Sequence, residues 1–221
     1  MAVIVSVVAF PLGIACAVYL EEYASRSRLA RLTRINVRNL AGVPSIVYGI
    51  LGLAIFVKFA GGVTGGRTVI SGGLTLSVLV LPIVIITASE ALRAVPRAIR
   101  EGALGVGATQ WETVRSHVLP SAAPGILTGT VLALSRAAGE AAPLLLVGGI
   151  TGLLTTGNQG LWEQITQGGF TSMPVAIFSY ARQTGGEFQA VTAAASLVLL
   201  ILVVIINGLA IWLRNRFERR W

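Results

Sequence analysis

Residues 68–89 read TVISGGLTLSVLVLPIVIITAS, 22 positions without a charged side chain. A hydrocarbon core ~30 Å thick requires roughly 20 predominantly apolar residues in one helix, so this run is long enough to cross a membrane. Pro82 inside it does not count against that reading. Proline and glycine are tolerated in membrane helices because neighbouring helices and polar side chains satisfy the freed backbone groups. A glycine-rich turn at 61–66 precedes the run, and Glu90 with a block of arginines follows it.

Working outward, the same pattern recurs. It predicts five spans, at 3–22, 39–60, 69–92, 121–147 and 188–213. The first, closed by Glu21, Glu22 and Tyr23, is too long for a signal-peptide core and lacks both a basic leader and a small-residue cleavage pattern. The second carries Pro44, Gly49 and Gly52, with Lys58 at its outer end. The composition agrees with a membrane protein: 54% of the 221 residues are hydrophobic and only 12% are charged, with a mean hydropathy of +0.80, against roughly 25% charged in soluble domains. Only helices and closed barrels satisfy their backbone in lipid, and these runs have helix length. The expectation is one all-α membrane domain over residues 1–221.

The net charge of +8 comes mostly from three blocks. These are Arg26, Arg28, Arg31, Arg34 and Arg38; then Arg93, Arg97, Arg100 and Arg115; then Arg214, Arg216, Arg219 and Arg220. They alternate with loops poor in Lys and Arg, which is the positive-inside pattern. The blocks are expected in the cytoplasm, the N-terminus outside and the C-terminus inside. No interleaving of aromatic and basic residues marks a base-stacking surface, so lipid and not nucleic acid is the expected surrounding. Cys16 is a single cysteine within an apolar run, which provides no disulfide framework and no metal cluster.

The loop 93–120 contains the segment RAIREGALGVGATQWETVRSHVLP at 97–120. Two short helices with a glycine bend fit it, the first over 97–106 with Gly105 and Gly107 forming the bend. Thr109 lies three residues before Glu112, the spacing of a capping box, which predicts a helix over 110–118. Trp111, Val114 and Val118 recur at helical spacing on one face, and Pro120 is expected to stop the helix. An apolar face led by tryptophan fits a groove on a partner protein; packing on its own chain or on lipid fits the same residues. His117 reads as a plain surface or packing residue.

The segment resembles the EAA loop of ABC importer permeases: Glu-Ala-Ala, three residues, Gly, nine residues, Ile-x-Leu-Pro. Glu101, Ala103 and Gly107 are in register, and Leu119-Pro120 fall at the expected distance. Gly102 stands where the family has alanine and His117 where it has isoleucine. The resemblance implies the type-1 ABC importer fold and a coupling helix inserted into an ATPase subunit. It assigns Glu101, Gly102, Ala103, Gly107, Thr109, Trp111, Glu112, Leu119 and Pro120 to that contact.

Arg136 and Glu140 interrupt the apolar run 121–147. A charge near the bilayer centre costs about 2.5–3.5 kcal/mol on insertion scales, and the i, i+4 spacing allows the two to pair on one helix face. Gly139 and Pro143 permit close packing or local unwinding there. The guanidinium fork suits phosphate or carboxylate oxygens, so this face is read as lining a transport pathway. A purely structural ion pair stays open beside that reading.

The stretch 134–144, LSRAAGEAAPL, is similar to the Arg-x-x-Gly-Glu-x-Ala-Pro-Leu segment of phosphate permease subunits. The stretches LEEYA at 20–24, NLAGVPSIVYG at 39–49 and WLRNRF at 212–217 agree, and together they resemble the PstA type more than the PstC type. The resemblance implies a heterodimer with a PstC-like second permease, a dimer of ATPase subunits and an outer phosphate-binding protein. Members of that family usually have six spans. This chain opens where their second would be, so one helix is expected to be missing.

No Gly-x-x-x-x-Gly-Lys-Ser/Thr loop is present. With no aspartate, one histidine and one cysteine, neither a catalytic triad nor a metal site is expected, and no cofactor. The chain is therefore expected to be a non-catalytic transport subunit. Two other functions remain open from the residues alone: a proton- or ion-coupled secondary anion transporter using Arg136 and Glu140, and a membrane scaffold recruiting partners through 97–120. The outer segment 148–187 is expected either to receive the binding protein or to form a long loop.

Overall fold

The computed structural model describes residues 1–24, 27–149 and 169–217, without side chains at 210 and 213–217. Helix dominates the described residues, and an isolated parallel bridge joins Gly149 to Phe170. Helix α1 spans Ala2–Val18 and widens into a π turn at Tyr19–Tyr23. Helix α2, Arg28–Ala41, starts at Ser27, whose hydroxyl oxygen accepts the Ala30 amide at 2.9 Å, the usual satisfaction of a free N-terminal amide. Helix α3, Ser45–Gly52, continues as π helix through Leu53–Phe59, and α4 is a single turn at Gly61–Thr64.

The second expected span, 39–60, thus divides. Proline lacks an amide donor and disfavours helical backbone in the residue before it, so the chain leaves α2 at Gly42 and restarts after Pro44. Upstream of the break, Arg28, Arg31, Arg34 and Arg38 lie on α2, which is itself amphipathic. Ala30 and Val37 of α2 pack in a cluster with Leu20 and Ile85, while Arg28, Arg31 and Arg38 stay exposed.

Helix α5 spans Val69–Ala94, through Pro82, and α6 spans Arg97–Gly105. Helix α7, Gln110–Thr113, passes through a π turn at Val114–Val118 directly into α8, Leu119–Gly139. The stop expected at Pro120 is absent. The missing proline amide is absorbed by the π turn immediately before it, where the Leu119 amide reaches the Val114 carbonyl, a common device at such points in a helix ladder. Ser121 adds a hydroxyl bond to the His117 carbonyl at 2.7 Å.

Helix α9, Ala142–Val147, follows a break at Glu140 and Ala141 and ends at Gly148, whose φ of 115° favours glycine. Helices α10, Met173–Ala181, and α11, Gly186–Phe217, complete the described chain. Part of the segment expected as an outer loop is therefore helical, and residues 150–168 of it lie outside the described residues. By length and composition, α1 with its π turn, α5, Gln110–Gly139 and Gly186–Leu209 can each cross a membrane; α2 with α3 makes a bent fifth candidate.

The chain divides into two compact units. One comprises Met1–Val8, Val43–Val80 and Leu134–Ile206. Its contacts depend on small residues: a Cβ on Gly49 would come within 2.7 Å of the Pro143 Cα, and one on Gly52 would collide with the Thr75 hydroxyl. Close approach of backbones is how membrane helices pack when lipid provides no hydrophobic drive. The other unit contains Ala9–Gly42 and Leu81–Ala133. Ala17, Ala88, Leu92, Val118, Ala122 and Ile126 form its central cluster, joining α1, α5 and α8.

Candidate functional site

The hairpin α6–α7 is assembled by its own sequence. Helix α6 ends at Gly105 with Val106 as its C-cap, and Gly107, at φ 91°, turns the chain. Gly107 takes this left-handed conformation and Gly105 does not; Gly105 is the last residue of α6. The Gly107 amide reaches the Leu104 carbonyl at 3.0 Å and the Ala108 amide the Ala103 carbonyl at 3.1 Å, which satisfies the end of α6. Thr109 then caps α7: its hydroxyl oxygen accepts the Glu112 amide at 3.3 Å, and its own amide donates to Glu112 Oε2 at 2.8 Å. The capping box read from the sequence is present in full.

The hairpin has two faces. Ala103, Thr113, Val114 and Val118 are buried, and α6 packs on the π turn. Glu101, Gly102, Leu104, Gly107 and Glu112 are exposed, with Val106 at 86% and Trp111 at 55%. The single apolar face expected for Trp111, Val114 and Val118 is therefore split. The two valines pack on their own chain, and the tryptophan points away from it together with Leu104 and Val106. Leu119 is half-buried beside the central cluster, and Pro120 is exposed.

Two acidic residues at the end of α1 make long-range ion pairs, Glu22 with the hairpin and Glu21 with α5 and α2; in the sequence they read as the close of a span and as part of the LEEYA stretch. The Glu22 carboxylate accepts both Arg100 Nη2, at 2.7 Å, and Arg100 Nε, at 3.2 Å. Arg100 also donates to the carbonyls of Leu92 and Val95, each at 2.8 Å, beside the C-terminus of α5. The side-chain amide of Gln110 donates to the Glu22 carbonyl. One residue earlier, Glu21 accepts a fork of two bonds from Arg93, at 2.7 and 2.8 Å, and lies 3.3 Å from Arg34 Nε. Both carboxylates are 9% exposed. Arginine forks on carboxylates are the strong, geometrically specific form of ion pair.

The charged pair of the other unit lies at the end of α8. Arg136 Nε is 3.5 Å from Glu140 Oε1. Glu140 has just left the helix; its amide reaches the Ala137 carbonyl at 3.4 Å, and α9 begins with Pro143 in its first turn. The unwinding allowed for at Gly139 and Pro143 is realised, but the close packing is at Pro143 against Gly49. No neighbouring atom would meet a Cβ on Gly139 within 4 Å; Gly139 instead lines an apolar pocket of about 440 Å³ with Pro174, Ile177, Ser196, Leu200 and Val204. Helix breaks of this kind leave carbonyls of one helix and amides of the next without intrahelical partners, which makes them sites for polar cargo in membrane proteins.

Comparison with known proteins places these features in a family. A family profile described as "Binding-protein-dependent transport system inner membrane component" matches residues 9–221. The chain is 33% identical to the "Probable ABC transporter permease protein YqgI" of Bacillus subtilis (strain 168), over 98% of this chain and 75% of that protein. It is 34% identical to the "Phosphate transport system permease protein PstA" of Xylella fastidiosa (strain Temecula1 / ATCC 700964), over 98% and 72%. With "Phosphate transport system permease protein PstA 1" of Mycobacterium tuberculosis (strain ATCC 25618 / H37Rv) it shares 35% identity, over 98% and 67%. Among solved structures, a chain of the MetNI methionine ABC transporter superposes with a TM-score of 0.69 at 18% identity, covering 99% of this chain and 89% of that one.

Proposed function

The chain belongs to the family of binding-protein-dependent transport system inner membrane components, and on that premise we propose that it is the permease subunit of an ATP-driven importer moving inorganic phosphate into the cytoplasm. It is a multi-pass inner membrane protein with the ABC importer permease fold. The observation that carries the substrate is its similarity, over 98% of its length, to several proteins named phosphate transport permeases.

In this reading the hairpin α6–α7 is the mechanical handle. A dimer of separate ATPase subunits binds and hydrolyses the nucleotide, and its closure displaces the hairpin, switching the side to which the cavity opens. That requires a two-state element whose equilibrium the nucleotide biases. Support comes from the exposed Leu104, Val106 and Trp111 beside the capped start of α7, because a buried aromatic anchor dominates many interfaces. The basic blocks then face the cytoplasm, with the N-terminus outside and the C-terminus inside. A PstC-like permease completes the pathway, and an outer phosphate-binding protein delivers the anion. Helix α11 supports the heterodimer: its apolar stretch is unburied within the chain. Arg136 receives the phosphate oxygens, and Glu140 holds its guanidinium until cargo arrives.

The test is phosphate uptake into vesicles containing the complete transporter. Uptake that stops on ATP depletion, and persists under an uncoupler at clamped ATP, is the expected result. Uptake that follows the proton gradient instead would establish a secondary anion transporter.

A further inference from the structure

Among the described residues, the side-chain hydrogen bonds of Arg100 join the hairpin to the ends of two membrane helices. Its guanidinium bonds the Glu22 carboxylate twice and the carbonyls of Leu92 and Val95 once each. Gln110, on the hairpin's second arm, reaches the Glu22 carbonyl. One acidic residue in the π turn that ends α1 therefore holds both arms, α6 through Arg100 and α7 through Gln110. The pair is shielded: the Glu22 side chain is 9% exposed and that of Arg100 22%.

We propose that Glu22 and Arg100 are positioning residues forming a strut that makes α1 move with the hairpin when the ATPase subunits displace it. The inference rests on the coupling role proposed above for the hairpin. Its physical basis is stiffness. Apolar packing such as that of Val114 and Val118 is non-directional and lets a hairpin slide, whereas a bidentate fork fixes distance and orientation together. A displacement of α6 is then passed to α1 as a displacement, and not lost as slip. The neighbouring Glu21–Arg93 fork ties α1 to α5 in the same way, so the end of α1 is braced on one side and driven on the other.

The experiment uses the complete transporter in proteoliposomes, with both phosphate uptake and ATP hydrolysis measured. Glu22→Gln, Arg100→Gln and the double variant are compared, with Arg100→Lys as the conservative change. Each single variant is expected to lower phosphate moved per ATP hydrolysed by roughly 5- to 150-fold, the usual range of coupling between sites. Hydrolysis and co-purification of the ATPase should be retained. The double variant should be no worse than either single one, because the two residues act as a unit. Arg100→Lys should recover part of the ratio. An unchanged ratio in the single variants overturns the proposal. So does a parallel fall of uptake and hydrolysis, which marks a merely structural pair. Failure of the unaltered complex to couple uptake to ATP would refute the importer reading itself, a separate result.

Discussion

Glu140 Oε1 lies 3.5 Å from Arg136 Nε across the point where α8 ends, and the two groups differ in access: 47% of the arginine side chain is exposed in the isolated chain, against 17% of the glutamate. The more exposed cation fits the cargo-binding role proposed for Arg136, and the shielded anion the holding role proposed for Glu140. Arg136→Gln keeps a polar side chain and removes the charge. A hydrogen bond to a charged group contributes about 1.5–3 kcal/mol, so phosphate uptake should fall about 10- to 150-fold while the assembled complex is recovered in normal yield. Initial uptake rates at several phosphate concentrations measure this. Normal rates would remove Arg136 from the pathway.

The capping box makes a separate prediction about the hairpin. Thr109→Ala removes the hydroxyl that accepts the Glu112 amide, a loss of about 1 kcal/mol at a helix N-cap. Amide exchange at 110–113 should accelerate about fivefold, while exchange in α8 stays unchanged. Gly102→Ala is the counterpart. No atom lies within 4 Å of the Cβ it would add, and alanine favours a helix by about 0.8–1.0 kcal/mol over glycine. The change should leave transport intact and slow exchange in α6.

Two glycines next to the helix break should behave oppositely. Gly49→Ala places a Cβ 2.7 Å from the Pro143 backbone, where neither partner can rotate away; overpacking of this kind costs typically 1–3 kcal/mol. Gly139→Ala meets nothing within 4 Å. Thermal unfolding of the purified complex should show a lower midpoint for Gly49→Ala and an unchanged one for Gly139→Ala.

Much of this was legible in the sequence because the signals were local. Apolar run length located the membrane helices, the Thr109–Glu112 spacing set the start of α7, and Gly139 with Pro143 marked the helix break. What escaped was of two kinds. Arg28, Arg31, Arg34 and Arg38 were read for their charge, although their spacing of three and four residues after Ser27 also described an amphipathic helix. Pro120 was read as a stop because proline breaks an isolated α-helix; a π turn before it lets the ladder continue. The forks on Glu21 and Glu22 join residues 72 and 78 positions apart. No spacing rule reaches that far, and only the folded chain brings them together.

The coupling role of the hairpin turns on where Trp111 points in the complete transporter. A photoreactive residue placed at position 111 and activated in native membranes should cross-link to an ATPase subunit, with a yield that changes when nucleotide is added. Cross-links confined to lipid or to the other permease subunit, with no ATPase captured in any nucleotide state, would contradict it.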